Sequence, residues 1–567
     1  MNKGNVTGSH NHHPQQWLGL PVALRIISYP PLLSSNSFRL IQLSPGSGSD
    51  IISVHLLQSE LQSAPVYDAV SYVWGDSECA VTISCDSQPL EITTNLHWAL
   101  WRIRDPYVAQ CVWADAICIN QLDVSERSSQ VALMGSIYGK ARFVFLAMGN
   151  AFGEDDQNVM SLVRDISSVW TTAESRTAIG VAFREDRRWN SISAIMSSTW
   201  FTRVWVVQEA GLAKHPIVLY GNARCPYREL ITIVSWARSQ PWSAVLYGIP
   251  GWVIHAVWSD WTQIPEFPNV TLFDLLSHGA VLECKDPRDR VYAFLGHPLA
   301  KDADGSSAFL LPDYTKDYRE IYQEVSTLLF QQIGLRLLAS VEHTEFTISE
   351  ALPSWVVRWD VAEVMNDITQ YHNHFQVYPI DGNHRILSAI EGGKLIAKGI
   401  YLEEINTSFQ MRAGSGPLTL LFHDRISNTD IPFPTLIHNI ATGQLTISPI
   451  YTPNPRAAFL KTLLAGDRRV LIPLLDSGVS YGDMISICHN RCFATTKSGL
   501  FVLGPWLTQP GDICVVLFGA GAPFVLRPNG NGEYRLLGEA YIGGIMNGEL
   551  KGMFSESQLE VQEFVIS

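Results

Sequence analysis

Four short runs limit what this chain can fold into: YDAVSYVW (67–74), CVWADAIC (111–118), RFVFLAMG (142–149) and PIVLYG (216–221). Each is apolar on both alternating faces. A strand of that kind has to be covered on both sides, as in a parallel sheet between helices. Helical spacing separates the runs. TTNLHWALWRIR (93–104) places Leu96, Leu100 and Ile103 on one face, and the segment after Asp123 does the same with Val131, Met134, Tyr138 and Ala141. Asp123 followed by Glu126 reads as a capping-box start. SSTWFTRVWVVQEAGLA (197–213) reads as one helix and AVTISC (80–85) as a short strand. Such alternation predicts an α/β fold with a mostly parallel sheet and helices on both faces.

The pattern changes along the chain. Residues 1–36 read as a loosely held leader. FRLIQLSPGSGSDIISVHLLQSEL (38–61) reads as two strands around a turn. The α/β region spans 37–222, with an insertion at 151–196. Residues 223–345 read as mainly helical, with DPRDR (286–290) opening a helix at Arg288–Leu295. Residues 346–567 read as β-rich, and the Gly-punctuated strands of 492–550 predict a small barrel or sandwich.

Charge and cysteine usage narrow the function classes. A formal charge of −14 argues against a general nucleic-acid binder. Nine scattered Cys without a CxxC fit reduced thiols and a cytoplasmic setting better than a disulfide framework. CHNRC (488–492) lacks a second ligand pair at zinc-like spacing, so no metal site is expected. There is neither a signal-peptide pattern nor a run of 18 apolar residues, so no membrane association is expected.

The blocks YDAVSYVWGD, VWADAICINQLDVSERSSQVALMGSIYGKA (112–141) and STWFTRVWVVQEAGLAKHPIVLYG (198–221) resemble those of fungal heterokaryon incompatibility (HET) domain proteins. DPRDRVYAFLG, PDYTKDY, LPSWVVRW and the glycine-rich tail extend the resemblance in order along the chain. FLAMGN (145–150) departs from the Trp-Leu-Gly ending more usual in the family. At greater distance the HET domain is similar to Toll/interleukin-1 receptor (TIR) domains, which implies a TIR-like, flavodoxin-like sheet. Some TIR domains cleave the nicotinamide–ribose bond of NAD with a helix glutamate. The resemblance places that role at Glu209, with NAD as candidate substrate and no bound cofactor. It also implies a part in allorecognition and cell death, either by nucleotide cleavage or as a non-catalytic module that assembles with itself or a protein partner. The 151–196 insertion has no TIR counterpart.

Candidate site residues follow the strand ends, where open α/β sheets bind ligands. Trp74 offers a ring face, Gly75 allows close backbone approach, and Asp76 follows; the alternative is a tight turn around a core Trp. Asp115, Asn120 and Gln121 cluster after the next apolar run, to bind a ribose or to pin a loop. Trp205 and Glu209 are four apart and share a helix face. Trp205 could wall the carboxylate, or it could be core while Glu209 pairs with Arg203 or Arg127.

Overall fold

The computed structural model describes residues 28–75, 80–169, 183–238, 271–301, 308–361, 368, 388–413, 420–424, 427–466, 487–550 and 560–567. The N-terminal leader up to residue 27, its histidines and Asp76 lie outside the described residues. The chain divides into two compact units, one of residues 1–270 with 282–315, the other of residues 271–281 with 316–567. The 223–345 stretch thus contributes to both.

The first unit is built on a nine-stranded sheet in the order β5-β4-β2-β1-β6-β3-β7-β8-β9. The strands are β1 (Ser37–Leu43), β2 (Ser53–Glu60), β3 (Asp68–Tyr72), β4 (Ala80–Cys85), β5 (Gln88–Thr93), β6 (Gln110–Trp113), β7 (Val144–Gly149), β8 (Pro216–Tyr220) and β9 (Ala223–Pro226). The helices are α1 (Thr94–Ile103), the single turn α2 (Asp115–Cys118), α3 (Val124–Lys140), α4 (Asp155–Val169), α5 (Trp189–Met196), α6 (Val206–Gly211) and α7 (Tyr227–Arg238). All five residues of β3 are buried, as a central strand requires.

The sheet is mixed, which corrects the expectation of a mostly parallel one. Parallel pairing joins β6, β3, β7 and β8, and also β2 to β4. The β1–β2, β1–β6, β4–β5 and β8–β9 pairs are antiparallel. Short connections are the reason at β4–β5 and β8–β9. Asp86 and Ser87, both at positive φ, turn β4 into β5, and Gly221-Asn222 turns β8 into β9; a two-residue loop can only join antiparallel neighbours.

Local chemistry explains the helices that frame the parallel centre. Thr93 caps α1 by accepting from the Leu96 N–H, and Leu96, Ala99, Leu100 and Ile103 form its buried stripe. Asp123 caps α3 by accepting from the Ser125 and Glu126 N–H groups. Glu126 does not complete the box. It pairs with Arg39 and takes the Asn120 N–H instead. Gly135 of α3 has no room for a Cβ, which would stand 2.8 Å from the Gly296 Cα and 2.7 Å from Gln208 Oε1. This close approach sets α3 against α6.

Two segments depart from their predicted form. The strand at 111–118 ends at Trp113, and Asp115 starts a helical turn, its Oδ1 accepting from the Ala116 N–H at 2.8 Å. The helix over 197–213 is interrupted. A 3₁₀ turn (Thr199–Thr202) stops at Arg203, which is extended, and α6 begins at Val206. Glu283 causes the break: its carbonyl accepts from the Val204 N–H at 2.9 Å, and its N–H donates to the Thr202 carbonyl.

The second unit has α8 (Leu272–Gly279), α9 (Tyr318–Ile333), α10 (Phe433–Ala441) and α11 (Pro455–Leu463). Its strands are β10 (Ser388–Glu391), β11 (Lys394–Ala413), β12 (Leu420–Asp424), β13 (Thr429–Pro432), β14 (Arg491–Thr496), β15 (Phe501–Pro505), β16 (Ile513–Leu517), β17 (Phe524–Gly530), β18 (Glu533–Glu539), β19 (Tyr541–Ile542) and β20 (Val561–Ile566). β11, β16, β17, β18 and β20 close into a five-stranded barrel. Gly399 lets β11 meet β16, since a Cβ there would lie 2.3 Å from the Val516 carbonyl oxygen. The far half of β11 leaves the barrel to pair with β12 and β14. Phe409, Phe422, Phe433, Phe459, Phe493 and Phe501 pack in an apolar core beside it, ring centroids 4.9–6.3 Å apart.

Candidate functional site

The site lies where the chain changes direction across the first sheet. Within the parallel centre β6-β3-β7-β8, β3 is flanked on one side by β6 and on the other by β7, beyond which lies β8. In an open sheet this divergence leaves a crevice at the carboxyl ends of the two strands, here β3 and β7. α6 packs over that edge against both.

Glu209 on α6 is 2% exposed. Arg203 Nη2 donates to its Oε1 at 3.2 Å and Nη1 to its Oε2 at 3.3 Å. The Ser71 hydroxyl, from β3, donates to Oε2 as well, and the Trp200 indole N–H donates to the Ser71 oxygen at 2.7 Å. Burial pushes the Glu209 carboxyl above its ordinary value, while Arg203 and the Ser71 hydrogen bond oppose that rise. Burial alone would lower Arg203, but Glu209 and Asp115 together raise it. The Arg203 fork and the Ser71 hydrogen bond thus favour the charged carboxylate against the pull of burial. Its Arg203 end is 17% exposed, so the pair is reachable from one side only.

Asp115 stands on the same crevice. Trp74 donates its indole N–H to Asp115 Oδ2 at 2.8 Å, which joins the loop after β3 to the turn after β6. Both residues are partly exposed. The buried Tyr72 hydroxyl is pushed well up by burial and by the Asp115 charge; Tyr138 is raised by burial and by Glu209. Trp113 packs edge-on against Tyr138, centroids 5.1 Å apart, and closes the floor. Gly75 is exposed at φ +74°, a left-handed conformation, and Asn95 holds the turn by donating to the Val73 carbonyl at 2.9 Å.

Trp74, Asp115 and Glu209 are thus brought together, and Arg203, bonded to Glu209, also feels the Asp115 charge. Asn120 organises its own loop: its side-chain oxygen accepts from the Leu122 N–H at 3.2 Å. Gln121 donates to the Asp115 carbonyl. Trp205 is committed elsewhere. It precedes α6 and donates its indole N–H to Asp289 Oδ2 at 3.1 Å, so its polar edge serves Asp289 and not Glu209.

Ser71 and Asp289 went unread in the sequence, whereas Arg203 is one of the two partners foreseen for Glu209. Ser71 was signalled as the one serine in an apolar strand, and Arg203 is the one charge in TWFTRVWVV. Asp289 carried no such signal, because DPRDR looks like a self-contained turn. The Asp286–Arg288 pair does form that turn. Asp289 faces the other way and takes the Tyr314 hydroxyl at 2.6 Å as well as the Trp205 indole. Burial, with the Asp286 charge adding, pushes its carboxyl up to about 7. The helix predicted over Arg288–Leu295 is reduced to a helical turn, Asp289–Tyr292.

The sites set aside in the sequence keep structural environments. Cys118 is fully buried and pushed up to about 12 by burial, which leaves no reactive thiolate near neutrality. Cys488 is buried with its thiol on the Leu463 carbonyl. Among the described residues no cluster of ligating side chains has the makings of a metal centre, and no helix is long and apolar enough to cross a membrane.

Comparison with known proteins agrees with both ends of the chain. Residues 67–209 match the model of the heterokaryon incompatibility protein (HET) family, and residues 472–559 match that of the Het-6 β-barrel domain. The chain is similar to heterokaryon incompatibility protein 6, OR allele, of Neurospora crassa, at 24% identity over 91% of this chain and 94% of that protein. No solved structure matches it. The chain thus carries one region matching the HET family and a later one matching the Het-6 barrel, and it is similar along nearly its whole length to a heterokaryon incompatibility protein.

Proposed function

We propose that this protein acts in fungal allorecognition, in the cytoplasm, and that its first unit binds and cleaves a nicotinamide dinucleotide in the β3–β7 crevice. The observation that carries the chemical half is the Glu209 carboxyl, held by Arg203 and Ser71 beside Asp115 and Trp74 at the strand carboxyl ends. Cleavage of a nicotinamide–ribose bond passes through an oxocarbenium-like state. The C1′–N1 bond breaks, its electron pair neutralises the pyridinium nitrogen, and water adds to C1′ with loss of a proton. A fixed anion close to C1′ stabilises the positive ribosyl centre, and the Trp74 ring is a surface for a flat base. No metal is required by this chemistry. In the described arrangement the carboxylate is closed over by Arg203, so substrate must displace the guanidinium to reach it.

That closure also supports a second reading, in which the unit is a non-catalytic module that works by self-association or by binding a protein partner. An ion pair only 2% exposed at its acid end is what a structural pair looks like. NAD consumption by the purified full chain, over a range of concentrations, separates the two. Under the first reading wild type consumes NAD, and Glu209→Gln, which keeps shape but removes charge, loses at least about a hundredfold in rate. A Glu209→Gln protein that melts like wild type and cleaves equally well sinks the catalytic role. Killing without any NAD loss establishes the module.

A further inference from the structure

Arg127 lies on the first turns of α3, and its guanidinium makes no hydrogen bond among the described residues. Other partly or fully buried arginines of this unit do. Arg39, Arg188, Arg203 and Arg288 close on carboxylates, and Arg102 and Arg290 donate to backbone carbonyls. Arg127 instead stands over the Tyr314 ring, its Cζ 4.0 Å from the centroid, with its Nε–H buried and without an acceptor among the described residues. A buried donor left so is uncommon and calls for a reason. Stacking uses the face of a guanidinium and leaves its edge donors free in a fixed fork, the geometry that recognises phosphate.

The surroundings favour an anion there. Arg288 stands 5.1 Å from the same Tyr314 ring, so two cations flank it. Asp286 neutralises Arg288 through two hydrogen bonds. Asp289 carries a proton for much of its time at neutral pH and already accepts from Tyr314 and Trp205, and Asp313 Oδ1 takes the Thr315 N–H and hydroxyl. Arg127 is thus a cation that no carboxylate takes among the described residues, on a chain whose formal charge is −14, and a polyanionic ligand needs such a point to approach it. Glu126, next to Arg127 in sequence, is taken by Arg39 and the Asn120 N–H, and the Asp123 carboxylate caps α3. The position is also connected to the crevice. α3 starts at the carboxyl side of β6, as the Asp115 turn does, and Trp205, bonded to Asp289, stands four residues before Glu209, about 6 Å along a helix axis.

We propose that Arg127, braced on Tyr314, is the phosphate-binding residue of the crevice and takes the diphosphate of a dinucleotide whose glycosidic bond lies at Glu209. This assignment rests on the nucleotide reading above, and adds to it the end of the ligand that carries the charge.

The test is binding by the full chain, measured by calorimetry with three probes: ADP-ribose, inorganic pyrophosphate and nicotinamide riboside, which has no phosphate. Wild type is expected to bind the first two. Arg127→Gln is expected to weaken both about ten- to hundredfold and to leave nicotinamide riboside unchanged. Arg127→Lys keeps the charge but not the fork, and is expected to fall between. Equal affinity of Arg127→Gln and wild type for ADP-ribose overturns the assignment, and if NAD is still consumed the catalytic reading survives it. Loss of pyrophosphate binding in a protein that never consumes NAD keeps the assignment and removes the catalysis. Binding of none of the probes by wild type overturns the assignment. Arg127 holds no hydrogen bond in the described chain, so Gln is expected to fold; if it does not, Arg127→Lys is read in its place, and unchanged ADP-ribose affinity there overturns the assignment.

Discussion

Arg203 in the first unit and Arg491 in the second are both withdrawn from water against glutamates, yet they do different work. Arg491 is 0% exposed and sits between Glu342 at 2.8 Å and Glu539 at 3.8 Å, while its Nη1 donates to the Glu539 carbonyl. Nothing outside the protein can approach it. Arg203 holds one glutamate, is open on one side, and has a serine, an aspartate and a tryptophan of three different loops and strands around it. Burial of an ion pair therefore says little about function. What distinguishes the pair in the crevice is its open margin, and the way short chain segments ending at the same sheet edge converge on it.

Removing each arginine measures the difference. Arg491→Met leaves two enclosed carboxylates without their shared cation, and is expected to cost about 3–5 kcal/mol in urea denaturation. Arg203→Met is expected to cost less, about 1–3 kcal/mol, because water can enter where the guanidinium stood. Equal losses would erase the contrast and make the crevice pair as structural as the other.

A smaller effect is expected from pH. Asp289 titrates near 7 in the folded chain and near 4 when unfolded, so folding takes up a proton between those values. Its contribution to stability is complete below about pH 4 and is lost as pH rises through 7. Of the charges packed around it, Asp286 raises its pKa and Arg127 lowers it. Thermal midpoints at pH 5 and pH 7.5 should therefore differ more in wild type than in Asp289→Asn. An equal slope in the variant would mean that Asp289 stays ionised, and the crevice side would lose its neutral acid.

The smallest effect belongs to Trp74. Trp74→Phe keeps a ring but removes the donor to Asp115, a partly exposed acceptor that water can serve. About 0.5–1.5 kcal/mol is expected by thermal denaturation. A much larger loss would show that this hydrogen bond, and not Arg203, clamps the crevice.

How far the sequence could be read follows from how local each determinant is. The strands around Val70, Phe145 and Val218 were legible because a run buried on both faces declares itself in its own residues. So was the shared location of Trp74, Asp115 and Glu209, since all follow strands or lie on the helix that caps them. The interrupted helix at Arg203 was not, because the residue that breaks it, Glu283, lies about 80 positions away in sequence. The mixed sheet was missed through β5: QPLEIT has only Leu90 and Ile92 buried, and the Asp86-Ser87 turn announcing it was passed over. Asp289 was misassigned because its neighbours satisfied the motif locally, and only the fold shows that its side chain serves Trp205 and Tyr314.

The twenty-residue strand β11 has a consequence for where this protein can be cut. It supplies one stave of the closed barrel and then, without a break, the backbone of the neighbouring sheet. The stretch matching the Het-6 barrel begins well after it and stops before β20. A piece trimmed to that match would carry β16 and β18 with their outer hydrogen-bonding edges bare, open to pairing with any other chain. The unit of descent and the unit of folding are therefore not the same length, and the second is the longer.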